Sequence, residues 1–217
     1  MYKGKYNLIM FGPPGAGKGT QAKIISKKLG IPAISTGEMI RGAIKSGTSM
    51  GVAAREYTEA GHLVPDEVVI GIIKERLTED DCQNGFILDG FPRTIPQAVA
   101  LADMGVDITK VISFEVSDDA IVERMSGRRL CSACSASYHV KFAPPAVEGK
   151  CDTCGEELII RKDDKAEVVQ SRLVTYHNET EPLKAFYEER NILAVVNGEG
   201  GVDEVSSRTF DALGVKF

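Results

Sequence analysis

The sequence has no surplus of basic charge: 26 Lys and Arg stand against 31 Asp and Glu, a formal net charge of −5. Proteins that bind nucleic acid generally carry a basic excess, so that class is disfavoured. No apolar run approaches the roughly 20 residues that cross a bilayer, so no membrane partner is expected. The basic N-terminus Met1-Tyr2-Lys3-Gly4-Lys5 is followed by a short apolar stretch that runs into glycines, with no small-residue cleavage site. It reads as the approach to a first strand rather than an export signal, and a cytoplasmic location is expected. The five cysteines are odd in number, and four of them fall within 24 residues. Without an export signal, that pattern argues against a disulfide framework and for a metal. No internal repeat and no low-complexity tail is apparent.

What is present fits one α/β domain with insertions: 217 residues, 43% apolar and 26% charged. Tyr6–Phe11 reads as a buried strand followed by a helix over 20–29, stopped by Gly30 and Pro32. Further buried strands are expected at 86–88, 111–116 and 193–196, with helices over 66–77, 96–103, 118–125, 167–190 and 203–213. The alternation predicts a parallel sheet covered by helices on both faces. Two stretches interrupt it. Residues 35–64 read as two short helices, 38–45 and 50–59, with Ser35 and Glu38 at capping-box spacing. Residues 127–164 hold the four clustered cysteines and too few apolar residues to make a core of their own.

The run Gly12-Pro13-Pro14-Gly15-Ala16-Gly17-Lys18-Gly19-Thr20 lies between a strand and a helix, the context of a phosphate-binding loop. Glycines let backbone amides approach phosphate oxygens, the helix N-terminus adds partial positive charge, and Lys18 adds a full one. The general pattern places Ser or Thr directly after the lysine, whereas here Gly19 intervenes before Thr20. The loop reads as a site that binds a nucleoside triphosphate and transfers its terminal phosphate. Asp89 ends an apolar strand. Alone it would be an ordinary strand-ending turn, but beside such a loop it reads as an organiser of the waters of Mg²⁺. Arg41, Arg93, Arg124, Arg128, Arg129, Arg161 and Arg172 sit by the loops and insertions of an acidic chain, which suits a polyphosphate.

Cys131-x2-Cys134-x16-Cys151-x2-Cys154 has the spacing of a four-thiolate zinc site. Four protein ligands leave no open position, so the expected Zn²⁺ is structural, although Fe²⁺ could use the same sulfurs. Zinc-finger peptides gain roughly 10–16 kcal/mol on binding metal, ample to order a core-poor segment. Cys82 reads as a free thiol and His139 as surplus to the sulfur set. His62 and His177 read as packing or surface residues rather than catalysts. Only Lys141 and Lys150 are basic between residues 131 and 154, too few for a phosphate-backbone surface.

Together these motifs resemble the adenylate kinases of the long-lid, zinc-containing bacterial type, with Gly-Lys-Gly-Thr at the loop. The others are Ser35-Thr36-Gly37-Glu38-Met39-Ile40-Arg41, Leu88-Asp89-Gly90-Phe91-Pro92-Arg93-Thr94, Gly127-Arg128-Arg129 and Arg161-Lys162-Asp163-Asp164. The resemblance spans nearly the whole chain. It implies a P-loop kinase core with a five-stranded parallel sheet (1–34, 65–126 and 165–217), an AMP-binding insertion (35–64) and a zinc-binding lid (127–164). It implies MgATP plus AMP giving two ADP in a monomer. Gly15, Ala16, Gly17, Lys18, Gly19 and Thr20 would hold the ATP phosphates, with Arg128, Ser137, Tyr138 and Gly200 near its adenosine. Thr36, Arg41, His62, Leu63, Val64, Gly90, Phe91, Pro92, Arg93 and Gln97 would contact AMP, Arg41 and Arg93 at its phosphate and Gln97 at its adenine edge. Arg124, Arg161 and Arg172 would converge on the transferring phosphate, with Arg161 and Arg172 also near AMP. A kinase for another monophosphate, such as UMP or CMP, shares much of this pattern.

Overall fold

A computed structural model of the protein describes residues 5–216. Residues 1–4 and 217, at the outer ends of the expected core stretches, lie outside the described residues, and with them most of the basic N-terminal pentapeptide.

β1 (Tyr6–Phe11) is buried on both faces, and its side chains alternate between two apolar layers. Leu8 and Met10 join one layer, Ile9 and Phe11 the other. This is why the run is continuously apolar rather than alternating with polar residues. β2 (Ala33–Ser35), β3 (Gly85–Asp89), β4 (Lys110–Glu115) and β8 (Leu193–Asn197) complete a parallel sheet in the order β2-β3-β1-β4-β8. The chain crosses from β1 to the edge at β2, returns through β3 beside β1, and then builds outward through β4 and β8 on the other side. The strand C-termini therefore open a crevice beside β1, where ligands bind in such sheets.

One layer is covered by α1 (Lys18–Leu29), α6 (Asp118–Gly127), α7 (Ala166–Thr175) and α9 (Val202–Leu213), through Ile25, Ile121, Leu173 and Phe210. The other is covered by α4 (Asp66–Arg76), α5 (Ile95–Asp103) and α8 (Leu183–Glu188), through Ile73, Leu101 and Tyr187. α2 (Thr36–Lys45) and α3 (Ser49–Ala60) form a helical pair over the second layer, reaching it with Ile40 and Ala54. The Ser35 hydroxyl accepts from the Glu38 N–H at 3.4 Å, and the Thr48 hydroxyl caps α3 by accepting from Gly51 N–H at 3.1 Å. Cys82 is a buried free thiol with Sγ 3.0 Å from the Arg76 guanidinium. Burial pushes its pKa up, which favours the thiol over the thiolate.

Three expectations are corrected. α1 begins at Lys18, two residues before the expected start, because Gly17 turns the chain with φ +93° and opens the helix itself. The three-residue β2 is too short to give a periodic signal. The single helix expected over 167–190 is broken into α7, a π turn (Tyr176–Thr180) and α8. Pro182 explains the break. It has no N–H to offer the Asn178 carbonyl and its ring crowds that turn, so the chain widens and Glu181 N–H bonds Tyr176 O at 2.8 Å.

The π turn carries His177, whose Nδ1 lies 2.7 Å from Glu181 Oε2 and whose Nε2 lies 3.1 Å from Asp118 Oδ2 at the start of α6. The bond to Glu181, against the opposing effect of burial and with help from Asp118, raises its pKa above the ordinary 6.5. The stabilisation is thus fully present below pH 6.5 and is lost as pH rises through the raised folded value. His177→Gln is expected to lower the melting temperature more at pH 6 than at pH 9. An equal loss at both would show that the imidazolium does not contribute.

Candidate phosphate site and cysteine centre

The first-turn N–H groups of α1, at Lys18, Gly19 and Thr20, have no carbonyl of their own helix to bond. They stand at the mouth of the crevice with the helix's positive end. Lys18 folds over the loop, its Nζ donating to Gly12 O at 2.8 Å and Pro13 O at 2.7 Å. Burial lowers its pKa to about 8; Asp89 opposes the shift, while Arg93, Arg172 and Arg128 add to it. Gly19 stands close to the end of β3: a Cβ there would lie 3.3 Å from Asp89 Oδ2, a tight contact. The strand-ending carboxylate of Asp89 lies beside the first turn of α1. Burial pushes the Asp89 pKa up, and Lys18 and Arg93 pull it back. Thr20 is exposed on the first turn.

A cavity opens where β1 and β3 end beneath α2 and α3. It brings together Lys18, Thr36, Arg41, His62, Leu63, Val64, Gly90, Pro92, Arg93, Gln97 and Arg172 from six separate segments. Most of the residues expected from the sequence at an acceptor site thus share one space. Phe91 does not line it: its ring is fully buried in the second apolar layer and anchors the loop from behind. The cavity also takes residues that sequence reasoning did not single out, including Phe11, Thr58, Asp163 and Tyr176. Thr36 Oγ1 donates to Gly90 O at 2.8 Å, and Arg93 Nε donates to the same carbonyl at 2.8 Å. Gly90 has φ +81°, and a Cβ there would lie 2.8 Å from the Arg93 guanidinium and 2.9 Å from Thr36 Oγ1. Only glycine satisfies both the left-handed backbone and this convergence.

The arginines are held by carboxylates. Arg172 NH1 donates to Asp163 Oδ2 at 2.9 Å, and Arg128 makes a bidentate pair with Asp164 through Nε at 2.8 Å and a second, short bond from NH2. Arg161 Nε is buried with no hydrogen-bond partner among the described residues, a donor suited to an anionic ligand. Burial lowers Arg161 to about 10, with help from Arg128 and Arg41. Burial likewise lowers Arg172 to about 10, against the pull of Asp163. For Asp163, burial would raise the pKa, but Arg172, Arg128 and Arg161 outweigh it and hold the carboxyl low. Sequence reasoning assigned the arginines and missed the roles of Asp163 and Asp164, although both stand in the run that follows Arg161. Arg124 is placed apart: it donates to Gly198 O at 2.9 Å, tying α6 to the loop after β8, and does not line the cavity. Gly200 lies in that same loop, ahead of α9.

Residues 128–159 hold a three-stranded antiparallel sheet, β6-β5-β7, made of β5 (Arg128–Cys131), β6 (Ser137–His139) and β7 (Leu158–Ile159). It presents two similar turns, a short repeat that the sequence reading did not find. Ser135 N–H bonds Cys131 O and Cys131 N–H bonds Ala136 O; Gly155 N–H bonds Cys151 O and Cys151 N–H bonds Glu156 O. Ser135 (φ +58°) and Gly155 (φ +75°) take matching left-handed positions. The four Sγ atoms lie within 4.8 Å of one another, with Cys131–Cys154 at 3.4 Å, Cys134–Cys151 at 3.5 Å and Cys134–Cys154 at 3.6 Å. A tetrahedron with metal–sulfur bonds of about 2.3 Å has edges of about 3.8 Å, so the sulfur set fits zinc. His139 stands off this set, stacked on Phe142 with ring centroids 4.4 Å apart. Tyr138 turns its hydroxyl towards the cysteines, 3.4 Å from Cys151 Sγ and accepting from Asp152 N–H at 2.8 Å, so that end of the side chain serves the cysteine centre. The knuckles touch the rest of the molecule through Lys45 Nζ and Lys23 Nζ, each 3.5 Å from the carbonyls of Ser132 and Ser135 respectively. Ser137 is exposed on β6.

A family model described as adenylate kinase matches residues 10–192. Three curated relatives named adenylate kinase show the extent of the likeness. One from Clostridium botulinum (strain Loch Maree / Type A3) is 52% identical over 211 residues, covering 95% of this chain and 98% of the relative. One from Syntrophotalea carbinolica is 53% identical over 211 residues, with the same coverage. One from Caldicellulosiruptor saccharolyticus is 51% identical over 213 residues, covering 96% of this chain and 99% of the relative.

Proposed function

The chain belongs to the adenylate kinase family, and from that premise we propose how its residues divide the work of phosphoryl transfer between ATP and AMP. The observation that carries the assignment is the cavity joining Lys18 and Arg172 to Thr36, Arg41, Arg93 and Gln97. Gly15 to Thr20 hold the ATP phosphates, and Lys18 meets the charge that develops during transfer. Arg41 and Arg93 grip the AMP phosphate, Gln97 meets the adenine edge, and Thr36, His62, Leu63, Val64, Gly90 and Pro92 shape the pocket. Arg128, Arg161 and Arg172 surround the transferring group. Arg124 supports α6 from outside, and Ser137, Tyr138 and Gly200 border the ATP side.

Asp89 would hold the waters of a Mg²⁺ bound with ATP, and when bound that ion would supply charge neutralisation at the phosphates. Phosphoryl transfer demands positioning and charge stabilisation more than covalent catalysis. The AMP phosphate is itself an anionic nucleophile, so no general base is needed. Water must be kept out, or ATP would be hydrolysed. Residues 35–64 act as the AMP-binding insertion and 127–164 as a lid, the two closing over a core made of 1–34, 65–126 and 165–217. The four cysteines hold a structural Zn²⁺ that gives the lid its shape. No helix among the described residues is long and apolar enough to cross a membrane. We assign the chain to the cytoplasm as a monomer that works on free nucleotides and has no nucleic-acid partner.

A coupled assay with ATP and AMP, UMP, CMP or GMP tests the reading, with metal analysis of the same sample. AMP is expected to be preferred by about 10²-fold or more in kcat/KM. Equal or better rates with a pyrimidine acceptor would overturn the assignment of AMP.

A further inference from the structure

Asp66 opens α4 just outside the cavity and is not among the residues that line it. Its carboxylate is nonetheless wired to one that does. Asp66 Oδ1 accepts from Gln97 Nε2 at 2.7 Å, and Oδ2 accepts from Thr94 Oγ1 at 2.9 Å. On its other side, Gln97 Oε1 accepts from Arg93 N–H at 2.8 Å. An ionised carboxylate can only accept, and a backbone N–H can only donate. Turning the Gln97 amide over would set its carbonyl against the carboxylate and its NH₂ against an N–H. Gln97 is 1% exposed, so water cannot make good the loss.

The amide is therefore fixed in polarity by its two neighbours. One N–H of Nε2 and one lone pair of Oε1 remain for whatever enters the cavity. An adjacent acceptor and donor on a glutamine or asparagine amide match the adjacent donor and acceptor on the edge of an adenine. A 6-oxopurine carries an acceptor where adenine carries its amino donor, so the fixed Oε1 would face another acceptor. An amide free to turn could adapt to either base.

We propose that Asp66 is a positioning residue that locks the Gln97 amide, and that this lock sets the preference of the acceptor site for 6-aminopurine over 6-oxopurine monophosphates. The proposal rests on the reading of Gln97 as the base contact. Asp66→Asn keeps the shape but can donate or accept, so it removes the charge-assisted half of the lock and leaves only the Arg93 N–H to orient the amide. The test is the ratio of kcat/KM for AMP to that for inosine monophosphate, with ATP saturating. In Asp66→Asn this ratio is expected to fall about 10-fold or more, within the discrimination a bidentate base contact provides. The fall should come through a raised KM for AMP, with kcat and the KM for ATP within about 2-fold of the parent, since the phosphate grips are untouched. Asp66→Glu, which retains an acceptor-only group, should keep the ratio within about 3-fold. Should Asp66→Asn fail to fold, the pair Asp66→Glu and Asp66→Gln makes the same comparison at equal length. A parental ratio in the folded amide variant would overturn the proposal. Gln97→Ala separates the two readings. If it leaves both the KM for AMP and the ratio unchanged, the base contact itself is wrong; if it collapses the ratio while the amide variant at position 66 does not, only the lock is wrong.

Discussion

Lys18→Met is expected to lower turnover by about 10³-fold, the scale on which a preorganised charge or donor at a developing anion acts. Methionine keeps the length and apolar stem of lysine, so the loop and α1 should retain their packing. Stability should not fall at pH 7. The folded-state pKa of Lys18, about 8, lies below its ordinary 10.5. Its charge therefore opposes folding below pH 8, and that cost is relieved only as pH rises from about 8 to 10.5. The two carbonyl partners, Gly12 O and Pro13 O, offset part of the cost. Initial rates with saturating ATP and AMP, beside a thermal melt at pH 7, check both halves. A fully active variant would remove Lys18 from the mechanism, and a collapsed melt would show that the lysine was holding the fold.

The second large effect concerns Cys151. Cys151→Ser should strip the metal and lower the melting temperature by about 10 °C, given that each kcal/mol is worth about 2–4 °C in a chain of this size. The loss is a fraction of what a zinc-finger peptide gains from its metal. It should fall first on residues 128–159, where the strands are two to four residues long and the sulfur cluster stands in for a core. A separate early transition is then expected, because this small sheet can melt while the parallel sheet persists. At low temperature the transfer rate should change much less than the melt, since none of the four sulfurs lines the cavity. Metal content and calorimetry together decide the matter. Unchanged melting with unchanged metal would count against a structural site at these cysteines, and the identity of the bound metal would separate zinc from iron.

The phosphate loop, Asp89 and the cysteines were legible in the sequence because each is a contiguous pattern whose chemistry needs those residues at that spacing. The strands at β1, β3 and β4 were legible because strands buried on both faces are apolar throughout; β8, expected as another buried strand, is an edge strand whose apolar run includes the exposed Val195. Asp66 with Gln97 and Arg128 with Asp164 were not, since partners 31 and 36 residues apart meet only through the fold. Nor does spacing tell that the Phe91 ring faces the core while its neighbours Gly90 and Pro92 face the cavity. Nor does the sequence tell that Arg124 lies outside the cavity, with its guanidinium on the Gly198 carbonyl. Pro182 was a visible signal that the apolar pattern around it concealed.

The π turn at Tyr176–Thr180 has a consequence for how chain length can vary. Val169 and Leu173 serve one apolar layer, while Tyr176, Leu183 and Tyr187 serve the other. In an unbroken helix, adding or removing one residue between these groups would rotate them by about 100° and pull one set off its layer. A π turn already stores one extra residue, so a deletion there tightens it toward an α turn and keeps both flanks near their places. Residues 176–180 are thus the stretch of this segment where a one-residue loss disturbs the register of the two layers least, while Pro182 keeps the turn from closing fully and the buried Tyr176 and the paired His177 are the residues that cannot be the one lost.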